Sequence, residues 1–123
     1  MDRPTVDKPE GDIPFELGID DLAVGDGDEA TAGTTVTVHY VGVAFRSGEE
    51  FDASWNRGEP FKFKLGKGQV IPGWDAGVAG MRVGGRRKLT IPSAMAYGAR
   101  GAGNGVIAPH EPLVFVVDLL AVN

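Results

Sequence analysis

Leu65-Gly66-Lys67-Gly68-Gln69-Val70-Ile71-Pro72-Gly73-Trp74-Asp75-Ala76-Gly77-Val78-Ala79-Gly80-Met81 is the stretch on which the fold turns. Within it Trp74, Val78 and Met81 recur at i, i+4 and i+7, the spacing of one helix face. The apolar spacing is helical nowhere else in the chain. Pro72 suits a first helical turn, where its missing N–H costs nothing. Gly73, Gly77 and Gly80 oppose the helix, each by about 1 kcal/mol against alanine. A helix this short does not hold alone in water, so its neighbours must hold it. The stretch predicts one short helix lying in the concave face of a sheet, with Trp74 pointing into the fold.

The flanking segments read as strand or loop. Phe61, Phe63 and Leu65 alternate with Lys62 and Lys64, a half-buried strand. Upstream, Thr34 to Phe45 is the clearest strand, with Val36, Val38 and Tyr40 on one face and Thr35, Thr37 and His39 on the other. Ser47-Gly48 turns the chain. Ala53 to Glu59 has loop composition. Phe15 to Val24 reads as a first strand with an irregularity near Gly18. Downstream, Arg86 to Ile91 is a strand that Pro92 stops. Met95 to Pro112 is a long loop of the kind that usually carries function. Leu113 to Val122 is apolar on both faces, as a central strand requires. Met1 to Ile13, with Pro4, Pro9, Gly11 and several charges, reads as a flexible N-terminal tail, leaving 14–123 as the domain.

Composition narrows the function. The 123 residues make one domain, and the net charge of −5 argues against nucleic-acid backbone binding. The absence of cysteine removes disulfides, thiolate nucleophiles and cysteine metal sites, and suits a cytoplasmic setting. No apolar run reaches the roughly 18 residues of a membrane span, and the first twenty residues hold no signal-type apolar region. Gly25-Asp26-Gly27-Asp28-Glu29 lacks the ligand spacing of a calcium loop and reads as a turn. His39 and His110 show no metal-ligand pattern, and His39 reads as a surface or satisfied histidine. No nucleophile elbow, zinc-binding helix or phosphate loop is present. Gly101-Ala102-Gly103-Asn104-Gly105 does not sit between a strand and a helix, so it is not a dinucleotide fingerprint. No metal and no cofactor is expected.

What remains is a convergence of aromatic residues: Tyr40, Phe51, Phe61, Phe63, Trp74, Tyr97 and Phe115. A large aromatic core is one reading. Tyr97 lies in a glycine-rich loop, and Val70 and Ile71 precede a helix where backbone N–H groups are unpaired. An apolar pocket with a few polar handles is the other reading.

Val38-His39-Tyr40, Phe51-Asp52-Ala53-Ser54, Pro60-Phe61-Lys62-Phe63, Leu65-Gly66, Val70-Ile71-Pro72-Gly73-Trp74, Gly77-Val78, Met81-Arg82-Val83-Gly84, Ala96-Tyr97-Gly98 and Leu113-Val114-Phe115 carry a resemblance. Their order and spacing resemble the FKBP family of peptidyl-prolyl cis–trans isomerases, from about Ala23 to Val122. The resemblance implies an α+β fold, an about five-stranded twisted antiparallel sheet wrapped around one short helix. It implies an enzyme that accelerates rotation of Xaa-Pro bonds in folding chains without covalent chemistry. It implies that Trp74 floors the pocket and that Tyr40, Phe51, Phe61, Val70, Ile71 and Phe115 wall it. The Ile71 N–H and Tyr97 hydroxyl would donate to substrate carbonyls. Asp52 would be the pocket carboxylate, held by Tyr40 and Arg57, with Gln69 and Ile107 at the rim. The implied partners are proline-containing polypeptides and tacrolimus- or rapamycin-type macrolides, bound by a monomer. A non-catalytic module that binds a proline-containing segment is the alternative. Gln69, Met95 and Ala102 depart from common family residues and bear on partner preference more than on activity.

Overall fold

A computed structural model describes residues 2–123. Six strands form one antiparallel sheet: β1 (Gly18–Ala23), β2 (Thr35–Ala44), β3 (Glu50–Ala53), β4 (Phe61–Lys64), β5 (Arg86–Ile91) and β6 (Leu113–Val122). The strand order is β1-β5-β6-β2-β3, with β4 also on β2. β3 pairs with Val41 to Val43 and β4 with Thr35 to Val38, so the two share one edge of β2. Six strands therefore fill five positions. The single α-helix among the described residues, α1, spans Pro72–Val78.

β6 lies between β5 and β2, the central place that its two apolar faces predict. Leu113, Phe115, Val117 and Leu119 join Val36, Val38 and Tyr40 of β2 in the core against α1. The opposite faces of the same strands are buried too, with Val41, Val43, Val114 and Val116 almost fully covered. Part of that cover is the N-terminal segment. Residues 2–17 carry no helix or strand, yet Val6 packs on Val43, Phe45 and Val114.

Trp74 and Val78 are buried in the core from one face of α1, as their spacing predicts; Met81 is buried too, but from beyond the helix, which stops at Val78 where Ala79 and Gly80 leave helical geometry. Gly73 and Gly77 have a packing reason. A Cβ at Gly73 would lie 2.5 Å from Ile91 Cγ2, and one at Gly77 would lie 2.7 Å from Leu89 Cδ2. The helix rests on β5 through a glycine face, and that contact offsets the propensity cost. Arg87 secures the C-terminal end by donating to the carbonyls of Gly77 (2.9 Å) and Ala79 (3.1 Å), a favourable place for a cation. The same guanidinium pairs with Asp21 of β1 at 2.7 Å. At the other end, the Asp75 carboxylate accepts from the N–H groups of Gly66 (2.8 Å) and Gly68 (3.0 Å), fixing the turn before the helix.

Three local expectations differ from the structure. The first strand begins at Gly18 rather than Phe15, and its irregularity lies between Asp21 and Ala23 rather than near Gly18. Phe15 is 91% exposed and pairs with no strand. Ser54–Arg57, within the stretch of loop composition, forms a 3-10 turn. The long segment after Pro92 is not featureless: it holds 3-10 turns at Ser93–Met95, Gly98–Arg100 and Gly103–Gly105, and a bridge pairs Ala102 with Ile107.

Candidate active site

Four strands, the helix and the long segment meet at one cavity of about 200 Å³. β2 contributes Tyr40, β3 Phe51 and Asp52, β4 Phe61, α1 Trp74 and β6 Phe115. Gln69, Val70 and Ile71 line it from the segment entering α1, and Tyr97 from the segment after β5. Strand alternation explains the convergence. Tyr40 and Phe115 point to the concave face because they are in phase with Val38 and Val117.

The rings stand edge to face around Trp74. Its centroid is 4.9 Å from Tyr40 and 5.2 Å from Phe115, at interplanar angles of 78° and 87°. Phe51 meets Phe115 at 5.5 Å and 87°. Such contacts favour rigid walls. Trp74 is 4% exposed, and its indole N–H is buried without a partner.

The polar groups form one cluster at the side of the cavity. The Tyr40 hydroxyl donates to Asp52 Oδ2 at 2.6 Å. Arg57 Nη1 donates to Asp52 Oδ1 at 2.9 Å, and its Nη2 donates to the Tyr40 oxygen at 2.8 Å. Burial raises the Tyr40 pKa above its ordinary value, and the bond to the Asp52 carboxylate adds to this against the pull of Arg57. Burial likewise raises the Tyr97 pKa, with a further contribution from the Asp52 charge. Both hydroxyls therefore remain protonated, and able to donate, well above neutral pH.

Besides the Trp74 indole, two donors at the cavity have no partner among the described residues. The Tyr97 hydroxyl, on a residue 40% exposed, forms no hydrogen bond among the described residues. Ile71 precedes α1; its carbonyl accepts from Trp74 and Asp75, while its N–H has no partner among the described residues, as expected at a helix start. Gln69 lines the cavity, but its side-chain oxygen is occupied by the Lys64 N–H at 2.8 Å. Arg57 stands behind Asp52 and Tyr40 rather than in the cavity lining. Ile107 does not line the rim: it is 6% exposed and packs in the main core, because its bridge to Ala102 turns it inward.

Ser54 is a positioning residue that the sequence reading passed over. It is fully buried, and its Oγ accepts from the Tyr40 backbone N–H at 2.8 Å and lies 2.8 Å from His39 Nδ1. It ties the 3-10 turn to β2 beside Tyr40. His39 is therefore a satisfied histidine, and its ring stacks on Trp55 at 4.1 Å. A serine in a stretch of loop composition carries no signal for this role.

Among the described residues, no serine, cysteine, lysine or histidine lines the cavity. The cavity thus joins an apolar aromatic wall to free donors at Ile71 and Tyr97. The family model for FKBP-type peptidyl-prolyl cis–trans isomerase matches residues 27–120. A FK506-binding protein of Streptomyces anulatus is 64% identical over 122 residues, 99% of this chain and 98% of that protein. A probable FK506-binding protein of Corynebacterium glutamicum is 48% identical over 121 residues, 98% of this chain and 99% of that one. The crystal structure of FkpA from Escherichia coli superposes with a TM-score of 0.79 at 41% identity, over 87% of this chain and 48% of that one. The chain belongs to the FKBP-type peptidyl-prolyl cis–trans isomerase family, and is an isomerase enzyme.

Proposed function

We propose that the enzyme rotates Xaa-Pro bonds of folding polypeptides by holding the prolyl ring over Trp74, between Tyr40, Phe51, Phe61 and Phe115. The observation that carries this reading is an aromatic cavity with unpaired donors at Ile71 and Tyr97 and, among the described residues, no serine, cysteine, lysine or histidine in its lining. A peptide bond resists rotation by about 18–20 kcal/mol, while the prolyl bond has nearly balanced cis and trans states. At the twisted midpoint amide resonance is lost and the carbonyl is less polarised. Water stabilises the planar, polar form, so an apolar cavity favours the twisted form by comparison. A rate gain of roughly a millionfold corresponds to about 8 kcal/mol. Fixed rings selecting the twisted conformer, with the Ile71 N–H and Tyr97 hydroxyl holding flanking carbonyls, are assigned that share. Asp52, fixed by Tyr40 and Arg57, sets the polarity of the wall facing the rotating carbonyl. Gln69 and Val70 border the bound segment.

Apolar residues before proline suit the open side of this cavity. The names of the Streptomyces and Corynebacterium relatives support binding of FK506 (tacrolimus); in this reading macrolides of that type and of the rapamycin type occupy the cavity as prolyl mimics. The enzyme acts as a cytoplasmic monomer in this reading. Among the described residues, no helix is long and apolar enough to cross a membrane.

Asp52→Ala and Tyr97→Phe test the assignment. Both are expected to retain the far-UV spectrum and thermal transition of a folded domain. Asp52→Ala is expected to lower kcat/KM about tenfold or more, the order of a hydrogen bond to a charged group. Tyr97→Phe is expected to weaken macrolide and peptide binding by about fivefold, the order of one neutral hydrogen bond. If both variants turn over and bind like wild type, these residue roles are wrong.

A further inference from the structure

The N-terminal segment does more than cover the back of the sheet. Its Arg3 reaches two parts of the chain that carry site residues. Arg3 Nη1 donates to Asn56 Oδ1 at 2.7 Å, and Nη2 donates to Glu50 Oε1. Asn56 Nδ2 in turn donates to Glu50 Oε2 at 3.1 Å. The three side chains close a ring between β3 and the turn Ser54–Arg57. Glu50 is two residues from Asp52 on β3, and Asn56 adjoins Arg57 in the turn. Asp52 and Arg57 are themselves paired at 2.9 Å. The same two segments are thus linked twice, once through Asp52–Arg57–Tyr40 beside the cavity and once through Glu50–Arg3–Asn56 outside it.

We propose that Arg3 is a positioning residue for the active site, acting through Glu50 and Asn56 on the Asp52–Arg57–Tyr40 cluster. Arg3 lines no part of the catalytic cavity, so it cannot act by touching substrate. The rest of the segment anchors it. Val6 is seated on Val43, Phe45 and Val114. Lys8 lies so close to Gly48 that a Cβ there would fall 2.8 Å from Lys8 Cβ. The Asp2 carbonyl accepts from Arg86, whose guanidinium also grips the fully buried Asp118 at 2.6 and 2.9 Å. An exposed ion pair on a free arm does little. Here the arm is tethered on both sides of Arg3, and the planar guanidinium bridges two acceptors at once, which a lysine ammonium on a flexible stem does less well.

The proposal rests on the reading that Asp52 takes part in turnover, so the test compares full-length wild type, Arg3→Ala, Arg3→Lys, Asp52→Ala and Arg3→Ala/Asp52→Ala. Turnover of a Leu-Pro peptide is measured at 10 °C, with folding followed separately by thermal denaturation. Arg3→Ala is expected to lower kcat/KM about two- to fivefold, with the loss in kcat rather than KM and Arg3→Lys falling between. The double variant is expected to match Asp52→Ala alone, since Arg3 acts through that cluster. If Asp52→Ala loses turnover while Arg3→Ala keeps it, or loses only thermal stability, the positioning role is wrong and the site reading stands. If the two losses multiply, or if Arg3→Ala loses turnover while Asp52→Ala does not, Arg3 does not act through Asp52 and the proposal falls. If Asp52→Ala and Arg3→Ala both turn over normally, both readings fall.

Discussion

Gly77→Ala tests how the helix is seated and what its seat does for the cavity. The new Cβ would lie 2.7 and 2.8 Å from the two methyl carbons of Leu89 and 3.2 Å from its Cγ. Leu89 is fully buried, so its methyls have no open space into which they can rotate. Overpacking of this kind costs about 1–3 kcal/mol. Alanine returns about 1 kcal/mol through better helix propensity. The net expectation is a loss of about 1 kcal/mol, or a fall of roughly 4 °C in the thermal midpoint for a domain of this size. A further effect separates this from ordinary destabilisation. Trp74 lies one turn before Gly77, so a helix lifted from β5 moves the indole relative to Tyr40 and Phe115. Macrolide affinity and kcat/KM should fall at temperatures where the variant is fully folded. Ala76→Gly is the control: Ala76 is on the exposed side of the helix. It should lose about 1 kcal/mol from propensity alone, with turnover unchanged. Differential scanning calorimetry and the isomerisation assay read both quantities. If Gly77→Ala raises the thermal midpoint, as an alanine free of clashes would, the account of the glycine face is wrong.

Ser54→Ala should leave the buried Tyr40 N–H unpaired and cost about 1–3 kcal/mol, read as a lower urea midpoint. For Tyr40, a pKa raised in the folded state means that its stabilising contribution is fully present below the unfolded value near 10 and is lost as pH rises through the folded value. Urea midpoints measured from pH 8 to 12 should therefore fall above about pH 10. Tyr40→Phe should show a shallower fall, and an unchanged slope would refute the burial of its hydroxyl.

The helix and the central strand were legible because each depends on a periodic apolar pattern. Trp74 and Val78 share a helix face whatever packs on them, although Met81, expected on the same face, follows the end of the helix, and Leu113 to Val122 is apolar on both sides because both sides are covered. The wall residues followed from an ordered set of short motifs rather than from periodicity. The glycines at 73 and 77 looked like a defect until the side chains of Ile91 and Leu89 appeared beneath them. Ile107 was expected at the rim from the family resemblance. Its bridge to Ala102 is a pairing that local composition does not encode, and it turns the side chain into the core. Ser54 and Arg3 were illegible for a related reason. Their roles rest on partners at sequence separations of 14 for Tyr40 and of 47 and 53 for Glu50 and Asn56. The division of one sheet edge between β3 and β4 is also a tertiary result, since both short strands pair with the same long one.

The cis-to-trans isomerisation of a short peptide containing a Leu-Pro bond, followed with and without a saturating tacrolimus-type ligand, tests the central claim most directly. Catalysed rotation that the ligand abolishes, with parallel quenching or enhancement of Trp74 fluorescence, is the predicted result. Rotation that persists with the cavity filled, or tight ligand binding by a folded protein that shows no turnover, would contradict it.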